Sequence, residues 1–239
     1  MKKVVKPVHD IRKLSDAPLI EFVSTGVPEI DSLVGGWPRG RISEVFGDPA
    51  TGKSSLMYLC LKSCVGKYKV LYDDVESALN VKRLAELEAV DPNFYYSDAY
   101  VLEEVSDMVV DSINNYDLII IDSVAAMVTV TERDGEMGDA NIGIKARLMG
   151  QFMRRLTGKL GQTKCAVVFI NQWRESPNMF VPRFRPGGKA LPYASSLGLE
   201  LTTKKADRKE NGQTVHVMVS KSKISQPFLE TEFFLPFSV

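Results

Sequence analysis

The 239-residue sequence has few cysteines and no long hydrophobic run. Its three cysteines include no CxxC pair, which excludes a disulfide framework and a four-cysteine zinc site. Cys60 and Cys64 lie four apart in a predicted helix and Cys165 begins an apolar run, so we expect buried free thiols in a reducing compartment. No apolar segment approaches the roughly 20 residues of a membrane helix, and the first residues lack the apolar stretch of a secretory signal. We therefore expect a cytoplasmic protein without a membrane partner.

The sequence also has no net charge, which on its own argues against a nucleic-acid partner. Thirty Lys and Arg residues balance thirty Asp and Glu residues. These charges are unevenly distributed, because residues 1–140 contain 14 basic and 24 acidic side chains whereas residues 141–210 contain 14 basic and 4 acidic ones. A basic segment of this kind indicates a polyanionic partner, although a basic face packed on an acidic subunit would give the same pattern.

The sequence does contain an alternation of short apolar runs and helix-length segments, within a composition that is 44% apolar and 25% charged. Such an alternation is typical of crossover units and a parallel sheet. The predicted strands are 41–46, 69–72, 117–121 and 165–170, and the predicted helices are 53–65, 78–89, 102–114 and 144–160. After residue 197, two strand-like runs flank Asn211-Gly212, a strong hairpin signal. We predict an α/β fold with a mostly parallel central sheet flanked by helices and a C-terminal antiparallel hairpin.

One domain is expected, with an N-terminal arm at residues 1–24 and a core at residues 25–239. Within the arm, residues 19–23 read as a strand. That strand either adds to the sheet edge of a neighbouring subunit or is an edge strand of its own domain.

A P-loop motif lies between a predicted strand and a predicted helix, which is the context that this motif requires. The motif consists of Gly47, Asp48, Pro49, Ala50, Thr51, Gly52, Lys53 and Ser54, and Ser55 follows it. Its glycines let successive backbone N–H groups point at phosphate oxygens, and the helix N-terminus adds its dipole. Lys53 then reaches the β and γ phosphates, and Ser54 offers a hydroxyl to Mg²⁺. The motif therefore predicts ATP and Mg²⁺ as cofactors.

Two carboxylates are expected at the same site. Asp122 ends the apolar strand DLIIID, and in P-loop enzymes this second acid holds Mg²⁺, commonly through water. An acid at an ordinary strand-end turn is the alternative. Glu76 follows another apolar strand and precedes a helix. On chemistry alone it is either a helix-start carboxylate favoured by the dipole or the base that orients the attacking water.

The run from Asp122 to Leu156 resembles the RecA family of strand-exchange recombinases. The same resemblance is carried by FINQ at 169–172, by GGKAL at 187–191 and by KSKISQPF at 221–228. It implies a RecA-like P-loop NTPase core in which Glu76 is catalytic. It also implies a DNA-dependent ATPase that assembles on single-stranded DNA as a filament or ring, binds double-stranded DNA as well, and promotes homologous pairing and strand exchange.

The resemblance also assigns roles around the nucleotide. In the family, the glutamine at the Gln172 position senses the γ-phosphate and passes ATP status to the loop that follows, while a buried glutamine bonded to backbone is the alternative. Lys221 and Lys223 match a lysine pair that reaches the ATP of the neighbouring subunit, which would place ATP at the subunit interface. Residues at i and i+2 lie on one face of a strand, so both lysines can point at one phosphate. By composition alone they would be solvated edge charges.

Two polar loops, 131–141 and 173–188, match the DNA-binding loops of the family. The residues expected to bind DNA are Ile142, Arg147, Arg154, Arg155, Arg174, Met179, Phe180, Arg183, Arg185, Gly187, Gly188 and Lys189. Arg147 and Arg154, seven residues apart, lie on one helix face and can clamp phosphates. The apolar side chains, Ile142 and Met179 or Phe180, can wedge between bases, although each can also be a buried loop anchor.

The sequence departs from the family pattern beside the adenine. Asn80 and Arg83 stand where the family commonly has an Asp and a Tyr, and Arg83 can still stack on the base through its guanidinium plane. The altered position beside the adenine and the short ends of the chain relative to the family favour one rival function, a RecA-fold regulator or mediator. A second rival is a translocating ATPase without strand exchange.

Overall fold

The computed structural model of the chain is built around a central β-sheet. The structure describes residues 13–17, 19–135, 143–176, 183–204, 208–209 and 211–237. The strands are β1 (Phe22–Val23), β2 (Trp37–Pro38), β3 (Ile42–Gly47), β4 (Val70–Asp74), β5 (Phe94–Ser97), β6 (Leu118–Asp122), β7 (Ala166–Gln172), β8 (Arg174–Glu175), β9 (Arg183–Phe184), β10 (Leu197–Thr202), β11 (Arg208–Lys209), β12 (Gly212–Ser222) and β13 (Glu230–Pro236). The helices are α1 (Pro28–Val34), α2 (Lys53–Cys64), α3 (Val81–Glu86), α4 (Leu102–Ser112), α5 (Val130–Asp134), α6 (Ile144–Leu160) and α7 (Ala190–Ala194).

Strand order in the central sheet is β11-β12-β10-β3-β7-β6-β4-β5, with β13 paired to β12. Neighbours from β10 to β5 are parallel, and β12 pairs antiparallel with β10, β11 and β13. The predicted α/β fold, with antiparallel strands at the C-terminal end of a mostly parallel sheet, is confirmed. Because β3 and β7 pair in register from Ile42↔Val167 to Gly47↔Gln172, the segments that follow them leave the sheet at the same edge.

Helices cover both faces of the sheet, so its central strands are buried throughout. In β6, Leu118 and Ile120 pack into the core cluster that contains α1 and α2. Ile119 and Ile121 pack into the opposite cluster, which contains α4 and α6. The continuously apolar sequence of this strand predicted such two-sided burial, because a strand with one solvated face alternates apolar and polar residues.

The three cysteines and the first strand can each be compared with an expectation from the sequence. All three cysteines are buried and free, as predicted. β1 pairs antiparallel with β2 of the same chain, and Val23 is fully buried. Within residues 19–23, the structure shows a strand at Phe22–Val23 that pairs inside the chain, and addition of the arm to a neighbouring subunit stays a prediction. Within the described ranges, no helix combines the length and the apolar character needed to cross a membrane.

The predicted helix at 78–89 is shorter in the structure, where α3 spans only Val81–Glu86. The Asp74 carboxylate accepts hydrogen bonds from the amides of residues 78 and 79, at 3.0 and 2.8 Å. The side chain of Asn80 then accepts from the Arg83 amide at 3.0 Å and caps the helix. These local bonds hold the segment before α3 in a turn, and they explain why the helix starts late.

The structure places Gly212 differently from the predicted Asn211-Gly212 turn. Gly212 is part of β12, where it pairs with Lys209 on one side and with Pro236 on the other. A side chain at Gly212 would collide with the Phe234 ring and the Leu235 carbonyl. The glycine therefore permits close packing of β13 and does not form the turn itself.

Asp73, near the end of β4, is a buried carboxylate that is poorly supplied with hydrogen bonds among the described residues. The residue is inaccessible to solvent, and neither carboxylate oxygen makes a hydrogen bond of ordinary geometry. Burial raises the pKa of Asp73 to about 6, and the nearby Ser97 hydroxyl and Ala99 amide offset part of this rise. An ionised carboxylate in such a place destabilises the fold, because these two groups do not replace the water that it has lost.

We expect Asp73→Asn to raise the free energy of unfolding at pH 7.5. The folded-state pKa of about 6 exceeds the ordinary value of 3.8, so the folded chain retains a proton that the unfolded chain has lost between these pH values. The cost of ionisation therefore develops as the pH rises from about 4 to 6, reaches its full size above that range, and amounts to at most about 3 kcal/mol. Denaturant unfolding at pH 7.5 and pH 4 without Mg²⁺ measures this gain, which should shrink at the lower pH. Asp111→Asn, on the exposed side of α4, is the control and should change little. A variant no more stable than wild type at pH 7.5 would contradict the assignment.

Candidate functional site

A cavity of about 280 Å³ lies where the carboxyl ends of β3, β4, β6 and β7 meet. Its lining comes from the P-loop and from the segments that follow these strands: Pro49, Ala50, Gly52, Lys53, Ser54, Ser55, Glu76, Asp122, Ser123, Ile170, Asn171 and Gln172. The edge where the strands of an open α/β sheet end is the usual place for a ligand site. The structure thus brings the predicted P-loop, both predicted carboxylates and Gln172 to one cavity.

The P-loop backbone is shaped to present N–H groups to an anion. Ala50 and Gly52 have positive φ angles of 62° and 88°, and the Thr51 hydroxyl closes the loop by donating to the Asp48 carbonyl at 2.9 Å. Gly52 is the N-cap of α2 and provides no side-chain cap. The first N–H groups of this 12-residue helix therefore remain open beside the cavity, and they fit a phosphate group.

Lys53 lies in the same cavity with its ammonium group on the P-loop backbone. Its Nζ donates to the carbonyls of Gly47 and Asp48, at 3.2 and 2.7 Å. Burial lowers the pKa of Lys53, while the charges of Asp122, Glu76 and Asp48 work in the opposite direction. An ammonium bonded only to neutral carbonyls can exchange them for phosphate oxygens, which form stronger, charge-assisted hydrogen bonds.

Asp122 is buried at the end of β6, where its Oδ2 accepts a 2.7 Å hydrogen bond from the Tyr72 hydroxyl. Burial raises the pKa of Asp122, and hydrogen bonds from Ser54 and Tyr72 lower it. Asp122 and Ser54, the predicted Mg²⁺ pair, are thus neighbours. Among the described residues, no group of three or more His, Cys, Asp and Glu side chains can hold a metal. A Mg²⁺ ion at Asp122 and Ser54 would therefore complete its shell with water and nucleotide oxygens, as is usual for this ion.

Glu76 lies at the mouth of the cavity, held by the residues that follow β6. Its Oε1 accepts a hydrogen bond from the Ser123 hydroxyl, and its amide donates to the Asp122 carbonyl at 3.2 Å. Since α3 begins only at Val81, Glu76 is not in the first turn of a helix. The structure therefore excludes the helix-start alternative for this carboxylate.

Gln172 ends β7 and lines the cavity beside a buried polar network. The backbone N–H of Gln172 donates to the Asn171 Oδ1 at 3.0 Å. The Asn171 side chain, fully buried, donates in turn to Glu44 and to the Pro186 carbonyl, at 3.1 and 3.2 Å. Glu44 and Asn171 were not selected from the sequence, although a Glu within the apolar run RISEVF was a signal for a buried polar partner.

A second cavity of about 350 Å³ adjoins the P-loop on the side of α3. It is lined by Ala50, Gly52, Ser55, Arg83, Gln213, Leu235, Pro236 and Phe237. The Arg83 guanidinium donates to the Ser55 hydroxyl at 3.4 Å and lies 5.9 Å from the centroid of the Tyr58 ring. Arg83 therefore faces the space beyond the P-loop where a base was predicted, while the Asn80 side chain is engaged as the cap of α3.

Lys221 and Lys223 lie outside the cavity that contains Lys53 and Glu76. Lys221 Nζ donates to the carbonyls of Pro192 and Tyr193, at 2.6 and 2.9 Å, and Lys223 Nζ donates to the same Tyr193 carbonyl at 3.4 Å. The two side chains thus share one direction, as the i, i+2 spacing predicted. They contact the end of α7 and do not reach the nucleotide cavity of their own chain.

The helix that follows the first predicted DNA loop is α6, and it has the predicted bounds of 144–160. Arg147 and Arg154 are exposed on it and form no ion pair with any residue in the described ranges. Arg155 points elsewhere, because it pairs with Asp107 of α4 at 2.7 Å. Arg147 and Arg154 are therefore available to bind an anion, whereas the Arg155 side chain is directed toward α4.

The second predicted DNA loop and the start of α6 border the turn that follows Asp122. Arg174 donates to the Ala125 carbonyl at 3.2 Å, and Lys145 of α6 donates to the carbonyls of Ala125 and Met127, at 3.4 and 2.5 Å. A side chain added at Gly187 would come within 3.2 Å of Val124. Lys145 was not selected from the sequence, because only the fold shows that its partners are backbone carbonyls 18 and 20 residues away.

The end of the second loop packs against the start of α6. Gly188 has a positive φ of 72°, and an added Cβ would lie 3.0 Å from the Ala146 Cβ, so glycine allows this close approach. Lys189 follows and is exposed. Arg183 and Arg185 turn back toward β3 and pair with Asp48 and Glu44 respectively. Ile142, Met179 and Phe180, the predicted wedge residues, lie outside the described residues.

Comparison with known proteins agrees with this arrangement. A family model described as the RecA N-terminal domain matches residues 8–238. Protein RecA of Aquifex aeolicus (strain VF5) is 36% identical over 97% of this chain and 69% of its own length. The proteins of the same name from Clostridium novyi (strain NT) and Leifsonia xyli subsp. xyli are 36% and 37% identical, over 90% and 92% of this chain and 64% of their own length. The chain thus spans about two thirds of the length of these relatives.

We expect Tyr72→Phe to weaken nucleotide binding only when Mg²⁺ is present. The variant removes the hydrogen bond that favours the ionised form of Asp122, and loss of such an outer partner typically lowers metal affinity about 10-fold or more. Calorimetric titration with ATP, with and without Mg²⁺, measures the difference. Tyr58→Phe is the matched control, because that hydroxyl accepts from the Asn80 amide and does not contact Asp122. Equal weakening with and without Mg²⁺ would show that Tyr72 supports the cavity in some other way.

Proposed function

The chain belongs to the RecA family, and on that basis we propose that it is a DNA-dependent ATPase that assembles on single-stranded DNA and promotes homologous pairing and strand exchange. The observation that carries the proposal is that the residues predicted to act on ATP lie in two separate places on the chain. Lys53, Ser54, Glu76, Asp122 and Gln172 meet in one cavity. The lysine pair predicted to act on the same phosphates faces away from it, so a second copy of the chain is needed to complete the site.

Within one subunit, the cavity residues suit the hydrolysis of ATP to ADP and phosphate. The P-loop amides and Lys53 bind the phosphates and neutralise the charge that develops on them. Glu76, fixed by Ser123, accepts a proton from the attacking water and orients it. A Mg²⁺ ion held by Ser54 and, through water, by Asp122 would supply further neutralisation at the phosphates. Gln172 senses the γ-phosphate from the end of β7.

A neighbouring subunit then contributes Lys221 and Lys223, which play the part that an arginine finger plays in other P-loop enzymes. In the single chain both ammonium groups rest on backbone carbonyls of Pro192 and Tyr193. Neutral acceptors hold a lysine more weakly than a phosphate does. Head-to-tail contacts of this kind generate rings or open filaments, with ATP between adjacent subunits.

The DNA-binding surface that we propose surrounds the turn after Asp122. Arg147 and Arg154 on α6, Arg174 after β7 and Lys189 before α7 lie on its borders. Most of their contacts would go to phosphates, so single-stranded DNA is the first partner and double-stranded DNA the second, with affinities that depend strongly on salt. Because the turn follows Asp122 directly, ATP hydrolysis is adjacent to this surface and drives release of the DNA.

The shared site is tested by complementation between two inactive variants. Glu76→Gln should keep ATP binding and lose hydrolysis about 100-fold or more, and Lys221→Ala should lose DNA-stimulated hydrolysis to a similar extent. In an equal mixture, an interface with Glu76 from one variant and Lys221 from the other is intact, so about a quarter of the interfaces regain activity. Steady-state hydrolysis on single-stranded DNA measures the recovery. Glu86→Gln, on the exposed face of α3, is the control and should retain activity. No recovery in a mixture that light scattering shows to co-assemble would contradict a shared site.

The DNA surface is tested by the salt dependence of binding. Arg147→Ala and Arg154→Ala should each weaken binding to a single-stranded oligonucleotide and flatten its logarithmic salt slope by about 0.7, since each removes one phosphate contact. Fluorescence anisotropy over a series of salt concentrations gives the slopes. Arg155→Ala is the matched control on the same helix, because its partner is Asp107, and its slope should equal that of wild type. Wild-type slopes for both Arg147→Ala and Arg154→Ala would remove α6 from the interface.

A further inference from the structure

Arg185, at the end of the second predicted DNA loop, is bound inside the protein. Its NH1 donates to Glu44 Oε2 at 2.9 Å, and the two side chains are 19% and 1% exposed. The guanidinium carbon lies 4.0 Å from the ring centroid of Phe46 and 5.4 Å from that of Trp173. A planar cation stacked on aromatic rings and paired with a buried carboxylate is held in one orientation. It is therefore not presented to DNA as Arg147 and Arg154 are.

The partner of Arg185 is also joined to the nucleotide cavity. Glu44 Oε1 accepts from Asn171 Nδ2 at 3.1 Å, and the same Nδ2 donates to the Pro186 carbonyl at 3.2 Å. Asn171 and Gln172 line the cavity, and the backbone N–H of Gln172 donates to Asn171 Oδ1. A continuous set of hydrogen bonds therefore connects the wall of the cavity with the end of the loop.

The network is nearly free of solvent, which makes its bonds strong and its disruption costly. Both Glu44 oxygens have partners, and burial raises the pKa of Glu44 while the Arg185 charge and the Asn171 hydrogen bond lower it. A satisfied buried network resists small distortions, since any lost partner leaves a buried polar group unpaired. A shift of the Gln172 backbone on nucleotide binding would therefore carry the end of the loop with it or break these bonds.

We propose that Glu44, Asn171 and Arg185 form a positioning network that transmits the nucleotide state of the cavity to the second DNA-binding loop. This inference rests on the proposed function. It assigns Arg185 to the coupling between two sites and removes it from the set of direct DNA contacts. Arg183, two residues earlier in β9, differs in kind, because it is 53% exposed and pairs with Asp48 at 3.3 Å on the surface. Such exposed pairs contribute little free energy, so Arg183 is free to leave Asp48 for a DNA phosphate.

The two arginines provide a matched pair of variants, Arg185→Gln and Arg183→Gln. For each, the affinity for a single-stranded oligonucleotide is measured by anisotropy with and without a non-hydrolysable ATP analogue and Mg²⁺. In wild type the ratio of the two affinities should lie in the range of about 5- to 150-fold that is usual for coupled sites. Arg185→Gln should bring the ratio to within about 2-fold of unity, with analogue affinity unchanged. Arg183→Gln should weaken both affinities equally and keep the ratio.

Two further variants separate coupling from misfolding. Arg185→Gln leaves the Glu44 carboxylate buried and unpaired, which is destabilising, whereas the double variant Glu44→Gln/Arg185→Gln leaves no buried charge. The double variant should fold and still lack the coupling. Arg185→Lys restores the charge without the planar stacking group and should recover the ratio only in part.

Trp173 provides a readout that needs no DNA. Its indole ring borders Arg185 and donates to Glu200 at 2.9 Å, while the other tryptophan, Trp37, is fully buried in the core. Adding the analogue and Mg²⁺ should change tryptophan emission in wild type and not in Arg185→Gln, at equal analogue occupancy measured by calorimetry. If wild type bound no DNA, the proposed function would fail and the emission would still decide the coupling.

Three results would overturn the proposal. The first is an Arg185→Gln variant that keeps the wild-type affinity ratio and emission change. The second is a wild type whose emission does not respond to the analogue. The third is an Arg185→Gln variant that loses DNA affinity equally with and without the analogue while its salt slope flattens by about 0.7, because this would mark Arg185 as a direct phosphate contact.

Discussion

The parallel pairing of β3 with β7 is the constraint on which the rest of the site depends. Its register, from Ile42↔Val167 to Gly47↔Gln172, makes the P-loop and Gln172 leave the sheet side by side. β6 pairs with the other side of β7 and adds Asp122 at the same edge. A slip of one residue would turn every side chain of a strand to the opposite face. It would bury Asn171 and Glu44 in the wrong layer and remove the cavity wall. Burial of both faces of these strands fixes the register, so the core that stabilises the fold also sets the geometry of the site.

The zero net charge of the chain conceals a spatial division. The acidic residues of the first part of the chain include the cavity carboxylates Glu76 and Asp122. Nine of the 14 basic residues of the later part lie on α6 or at the ends of the second loop, and two of them, Lys145 and Arg174, contact the turn that follows Asp122. With no overall positive field, long-range attraction of DNA is weak. Under the proposed function, capture of DNA depends on a local surface that the nucleotide and a neighbouring subunit organise.

The sequence predicted those parts of the structure that depend on local pattern or on a motif. The bounds of α6 follow from its regular apolar face, and the P-loop follows from a motif whose glycines and lysine have fixed tasks. Contacts between distant segments could not be predicted, because they depend on the register of the sheet. The Tyr72 hydroxyl on Asp122 and the Arg185 guanidinium on Glu44 are of this kind. Gly212 was predicted as a turn residue because Asn-Gly usually forms one, whereas its place is determined by the close approach of Phe234.

If hydrolysis requires a site completed by an adjacent subunit, its rate depends on assembly. The decisive quantity is the rate of ATP hydrolysis per subunit on long single-stranded DNA, measured over a wide range of protein concentrations at saturating ATP. This rate should rise with protein concentration and level off once light scattering shows that subunits have assembled. A rate per subunit that stays constant down to concentrations at which the protein is monomeric would contradict that requirement.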